Sequence, residues 1–210
     1  MQQEKDSSPS LSAAKRQSDE KLRGAVMNEA RQTIRREWGD ALYERALGRL
    51  TEGDREIIEG PLLASSFYPV ATWDRFLDAA FLEASRETGV TREQFYDKLV
   101  QLGGGRLLQA LYKMFLGIMS PSTVAKIIPS FWMRLYTSGR LELLENRPGR
   151  CVLRFTDRSD AFRANVTDHL PPGVKLLLEK NGARQIESRV TLDELSVDGL
   201  IVEVTTTYQA

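Results

Sequence analysis

From Leu22 onward apolar residues recur every three or four positions: Val26, Ala30, Ile34 and Trp38 share one face, and Gly39-Asp40 interrupts them. That period predicts an amphipathic helix to the break and a second one carrying Leu42, Ala46, Leu47 and Leu50. Thr51 is expected to cap a short helix around Ile57 and Ile58, since a threonine hydroxyl accepts one of the N–H groups that a helix start leaves free. Residues 60–69 form a connection whose Leu62, Leu63, Phe67 and Tyr68 pack down. Thr72 is expected to cap the next helix, with Trp73, Phe76, Leu77, Ala80 and Ala84 on one face and Gly89 at its end. Thr91-Arg-Glu-Gln94 spells a capping box, in which the threonine takes the N3 amide and the glutamine reaches back. The helix it opens carries Phe95, Leu99 and Leu102.

Gly103-Gly-Gly105 breaks the pattern. Leu107, Leu108, Leu111, Met114, Phe115 and Ile118 then predict a helix apolar on more than one stripe, hence central. Ser120-Pro121 starts another, carrying Val124, Ile127, Ile128, Phe131 and Leu135, with Pro129 removing one backbone donor inside it. In the last third the period changes. Residues 141–145 and 151–155 flank Pro148-Gly149, which suits a type II turn, and predict a β-hairpin. Residues 162–178 predict a helix interrupted near Pro171-Pro172, with Val174, Leu177 and Leu178 buried. Ile186, Ser188, Val190 and Leu192 alternate with polar residues, Asp198-Gly199 turns, and Leu200, Val202 and Val204 alternate again, a second hairpin. Helices first and an antiparallel sheet after them, with a helix packed on it, give an α+β fold. The expected division is a disordered tail at 1–20 and one domain at 22–210, its helical part at 22–138 and its sheet-bearing part at 139–207.

Composition narrows the function. Lys plus Arg total 29 and Asp plus Glu total 29, so the basic excess of a nucleic-acid binder is missing. Zero net charge is compatible with a homo-oligomer. One cysteine, Cys151, excludes an internal disulfide. No apolar leader and no run long enough to span a membrane is visible, and a cytoplasmic location is expected.

Candidate chemistry is sparse. Gly103-Gly-Gly-Arg106 lacks the Gly-Lys-Ser/Thr ending of a phosphate loop and reads as a helix junction. His169, the single histidine, sits between Asp168 and Leu170-Pro171-Pro172 and is expected on a surface loop. One His and one Cys cannot build a typical zinc site, so no metal and no cofactor is expected. Cys151 reads as a buried small hydrophobe. Seven arginines between Arg134 and Arg163 are interleaved with Glu142, Glu145, Asp157 and Asp160, a self-compensating surface. The apolar and aromatic side chains Met114, Phe115, Phe131, Trp132, Leu135, Tyr136 and Phe155 are the candidates to line a ligand cavity, against the plainer reading of ordinary core.

Tyr68-Pro69 followed by Trp73, the Gly103-to-Leu111 stretch, and Phe131-Trp-Met-Arg-Leu-Tyr-Thr-Ser-Gly-Arg-Leu-Glu-Leu143 with its hairpin resemble a family of uncharacterised proteins of about this size, best known from myxobacteria. The resemblance covers residues 22–207. The order of elements is also similar to haem nitric oxide/oxygen-binding (H-NOX) domains and 4-vinyl-reductase-type domains. That resemblance implies helices, then a sheet, and a cavity between them. H-NOX domains carry a proximal histidine on the helix before the sheet and a Tyr-x-Ser-x-Arg motif on the following strand. Here the helix from Ser120 to Tyr136 has no histidine, and Arg154-Phe155-Thr156-Asp157-Arg158-Ser159 has Phe155 and Asp157 at the Tyr and Ser positions. Tyr136-Thr-Ser138-Gly-Arg140 spells the motif but lies ahead of the hairpin. The reading is therefore a haem-free sensory or regulatory module that binds a small apolar or amphipathic ligand and signals to a protein partner. The alternative is a protein–protein adaptor with a solid core. No motif points to an enzyme.

Overall fold

The computed structural model describes residues 20–104 and 119–209. The tail expected before Glu20 lies outside these residues, as does the apolar stretch that holds Met114 and Phe115. In chain order the elements are β1 (Lys21–Arg23), α1 (Gly24–Leu47), α2 (Glu52–Glu59), β2 (Phe67–Pro69), α3 (Val70–Thr88) and α4 (Arg92–Leu99), which runs into a π-helical turn, Val100–Gly104. After these come α5 (Pro121–Leu135), β3 (Arg140–Arg147), β4 (Arg150–Asp157), α6 (Arg163–Glu179), β5 (Arg184–Ser196) and β6 (Gly199–Gln209). The fold is α+β, helices ahead of an antiparallel sheet of order β3-β4-β6-β5.

The helix starts and stops follow local chemistry. Gly39 breaks α1 with φ 85°, a left-handed value that a residue with a Cβ adopts at a cost. The Thr51 hydroxyl accepts from the Asp54 N–H, the Thr91–Gln94 capping box is complete, and Ser120 caps α5 with Pro121 at the first helical position. Thr72 does not cap. Helix α3 already begins at Val70, whose N–H reaches the Glu20 carbonyl at 2.9 Å. Inside that helix Thr72 donates to Asp54 Oδ1 at 2.6 Å, and Arg75 grips the same carboxylate at 2.6 and 2.7 Å. The Arg75 hydrogen bond holds the Asp54 carboxyl well below the usual carboxylate range, with Thr72 and Thr51 adding to it against the cost of burial.

Three further departures have physical causes. The first is a pair of three-residue strands, too short to show a period, that pair β1 with β2. Fully buried Leu22 of β1 also bridges to Tyr136, and Lys21 exchanges hydrogen bonds with Thr137, so the start of the domain is sewn to the end of α5. The second is α6, which runs unbroken through Pro171 and Pro172. Burial of Val166, Leu170, Val174, Leu177 and Leu178 outweighs the two missing backbone donors. The third is a register shift in β5 between Val190 and Leu192. Val190 pairs with inward Val204, but Leu192 pairs with Glu203. The extra residue thus turns Leu192 to the outer face, contrary to the simple alternation, and aligns Asp193 to meet Arg163 at 3.0 Å.

One sheet face is buried. Cys151, Leu153 and Phe155 of β4 stand opposite Thr206, Val204 and Val202 of β6, all with negligible exposure, and α5 and α6 cover them. The same apolar core continues among α1, α3 and α4 with Met27, Ile34, Leu42, Leu47, Trp73, Phe76 and Phe95. No helix among the described residues is long and apolar enough to cross a membrane.

Candidate functional site

Among α1, α3, α5 and α6 lies a cavity of about 180 Å³. Helix α1 contributes Val26 and Ala30, four apart and so on one face, with Glu29 beside them. Helix α3 contributes Trp73, and α5 contributes Phe131 and Leu135, again four apart. Leu99 precedes the π turn, which supplies Val100, Gly103 and Gly104. Helix α6 closes the space with His169, Gly173, Leu176 and Leu177. A π turn widens a helix by one residue and brings its backbone to the wall. A Cβ on Gly103 would stand 3.0 Å from Thr33 Oγ1 and one on Gly104 3.2 Å from Leu176 Cδ2, so glycine permits that approach. A Cβ on Gly173 would meet nothing within 4 Å.

The wall is almost wholly apolar, and its hydrogen-bonding side chains are few. His169 is not on a surface loop. Because α6 continues past the prolines, its imidazole is half-buried on the cavity wall, edge-on to Tyr96 with ring centroids 4.7 Å apart. Burial, with the nearby Arg92 charge, pushes the His169 pKa down to about 3, so the ring is neutral near pH 7. Arg92 lies 5.2 Å from the Tyr96 ring and links Asp168 and Asp78, each at 2.8 Å. The Trp73 indole N–H is buried with no acceptor among the described residues. Next to Trp73, burial pushes Asp74 up to about 7, the Asp78 charge adding to the effect and the Asn165 amide opposing it. Asn165 also accepts the Tyr136 hydroxyl at 2.8 Å.

The remaining residues singled out in the sequence fall elsewhere. Trp132 stacks on Tyr136 with centroids 4.0 Å apart and meets Phe155 at 4.8 Å and Phe162 at 5.6 Å. These rings pack on one another beneath the sheet, and the Trp132 N–H donates to the Ser138 carbonyl. So α5 has two working faces: Phe131 and Leu135 toward the cavity, Trp132 and Tyr136 toward the sheet. Met114 and Phe115 lie outside the described residues. Cys151 is buried, which pushes its thiol up to about 11. Five of the middle arginines, Arg140, Arg147, Arg150, Arg154 and Arg163, pair with acids. Among the described residues no group of His, Cys, Asp and Glu could hold a metal ion.

Of the wall residues only Phe131 and Leu135 are among the cavity candidates of the sequence; Trp73 is expected there only on an apolar helix face, and His169 and Gly173 are not recognised as wall residues. His169 and Gly173 are four apart, and both follow the Val166–Leu170 repeat, a helical signal masked by the double proline.

The fold as a whole matches solved H-NOX domains. An oxygen-binding H-NOX domain related to soluble guanylate cyclases, in its oxygen complex, aligns with a TM-score of 0.65 and 7% identity over 90% of this chain and 96% of that one. A Cs H-NOX variant carrying 4-cyano-L-phenylalanine aligns at 0.67 and 8% over 90% and 97%. A point variant of T. Tengcongensis H-NOX aligns at 0.67 and 8% over 90% and 98%. Identities this low carry the fold alone. No protein-family model matches the chain, and no curated protein does.

Proposed function

We propose that this chain is a haem-free ligand-sensing module that takes a small, predominantly apolar molecule into the cavity between α1, α3, α5 and α6 and passes its occupancy to a protein partner. The observation that carries the reading is the cavity itself, about 180 Å³ of apolar-walled space in a fold shared with H-NOX domains. Its size indicates the ligand: a dry engineered cavity of roughly 150 Å³ holds benzene, whereas drug-sized ligands need about 300–1,000 Å³.

Haem is the occupant that the shared fold suggests, since one solved structure with this fold concerns haem distortion in the H-NOX family. The described residues do not fit it. The space is too small for a macrocycle, α5 has no histidine, and no Lys or Arg on the described wall could hold propionates.

Helix α5 supports the transmission half of the reading. Filling the cavity presses on Phe131 and Leu135, and the next side chains, Trp132 and Tyr136, are stacked against the sheet. Pro129 leaves the Ala125 carbonyl without its helical donor, which lowers the cost of bending there. The solid-core adaptor reading makes no use of the cavity.

Native mass spectrometry with an absorption spectrum of the purified protein tests the proposal, followed by melting in the presence of benzene. A co-purifying small apolar mass without a haem band, or a melting temperature that climbs with benzene concentration, is the expected result. A Soret band, or a bare polypeptide indifferent to benzene and other single-ring compounds, would overturn it.

A further inference from the structure

This inference rests on the sensing-cavity reading and specifies its selectivity. We propose that Gly173 is the size-determining residue of the cavity, and that the ligand class it admits is uncharged molecules of about one six-membered ring.

Glycine in a helix interior is less stable than alanine by about 1 kcal/mol, so it calls for a local reason. Gly24 and Gly103 have one. At Gly24 a Cβ would lie 2.3 Å from the Leu63 carbonyl oxygen, and at Gly103 it would crowd Thr33. Gly173 has neither excuse. It lies inside α6 with no left-handed φ, and an added Cβ would touch nothing within 4 Å among the described residues. Yet it lines the cavity. The absent side chain is therefore part of the open space, on the helix that also presents His169 one turn earlier. Trp73 and Phe131 on the same wall are larger and buried. The volume at Gly173 is the part of the wall that can change without repacking the core.

Exclusion of negative charge follows from the same wall. An anion entering would lose its hydration shell and find no cation among the described wall residues, which include no Lys or Arg and an imidazole that is uncharged.

The test is isothermal titration of the full chain with benzene, naphthalene and benzoate, using wild type, Gly173→Ala and Gly173→Leu. Gly173→Ala serves as the folding-safe variant, because alanine favours the helix, and melting curves confirm that each protein is folded. Wild type should bind benzene and discriminate against benzoate by at least about a hundredfold. Gly173→Ala should weaken naphthalene more than benzene, and Gly173→Leu should weaken benzene by about tenfold or more. Folded Gly173→Leu with wild-type benzene affinity, or benzoate bound as tightly as benzene, overturns this inference and leaves the sensing reading standing. Failure of wild type to bind any of the neutral rings overturns both.

Discussion

Two half-buried titratable groups near the cavity are displaced in opposite directions, and their effects on stability should cancel until one is removed. His169 has an ordinary pKa of about 6.5 when unfolded and about 3 when folded. Between those values the unfolded chain binds a proton that the native one refuses, so stability rises with pH by up to about 1.4 kcal/mol per pH unit. Asp74 is the mirror case, with an unfolded pKa near 3.9 and a folded one of about 7. There the native state keeps a proton that the unfolded chain has lost, and stability falls as pH rises at the same limiting rate. From about pH 4.5 to 6 the two slopes oppose. Asp74→Asn deletes the falling term, and its stability relative to wild type should rise across that window. His169→Gln deletes the rising term and should show the reverse. The full excursion is about 2 kcal/mol, and partial exposure of both side chains brings the expectation to about 1–2 kcal/mol. Urea titrations of the three proteins at three pH values across the window measure it. Groups common to all three drop out of the differences. Parallel profiles for Asp74→Asn and wild type would show that Asp74 is ionised in the native state and that the reasoning about its surroundings is wrong.

Other consequences are simpler to check. Asp54→Ala removes the shared acceptor of Thr51, Thr72 and Arg75 that ties α2 to α3. With Arg75 half exposed, the loss should be about 2 kcal/mol by chemical denaturation. Trp132→Ala empties the centre of the aromatic cluster and should cost about 3–5 kcal/mol in the same assay, whereas Met133→Ala on the exposed face of α5 should be nearly neutral. Cys151, buried and with a raised pKa, should resist a thiol reagent in the native protein and react stoichiometrically in denaturant; rapid native labelling would contradict its burial.

The order of elements and most of their ends were legible because they rest on local chemistry: the Thr91–Gln94 box, Ser120-Pro121, and the Pro148-Gly149 turn between β3 and β4. What escaped depends on distant partners. Strand β1 exists because β2 and Thr137 supply its hydrogen bonds, and three residues carry no period. Local propensity breaks α6 at Pro171, and only the burial of its apolar face restores it. His169 was misplaced by that same error, since a loop and a helix aim its ring differently. On α5 every candidate is apolar, so hydropathy cannot sort Phe131 and Leu135, which face the cavity, from Trp132 and Tyr136, which face the sheet. Adjacent helical residues point about 100° apart, and the neighbouring elements decide which direction is which.

Both margins of the four-stranded sheet are interrupted. Strand β3 loses register between Leu143 and Glu145, and β5 does so between Arg184 and Glu187 and again between Val190 and Leu192. A regular strand laid along β5 would stay in phase only from Glu187 to Val190 or from Leu192 to Ser196 before its amides and carbonyls slipped past their mates. Along β3 it would fare no better. Natural sheets deter edge-to-edge fusion in this way. For a chain with no net charge to keep copies apart, this irregular selvedge takes over part of that duty, and it directs recognition by other molecules away from the hem of the sheet and toward its faces and the helices.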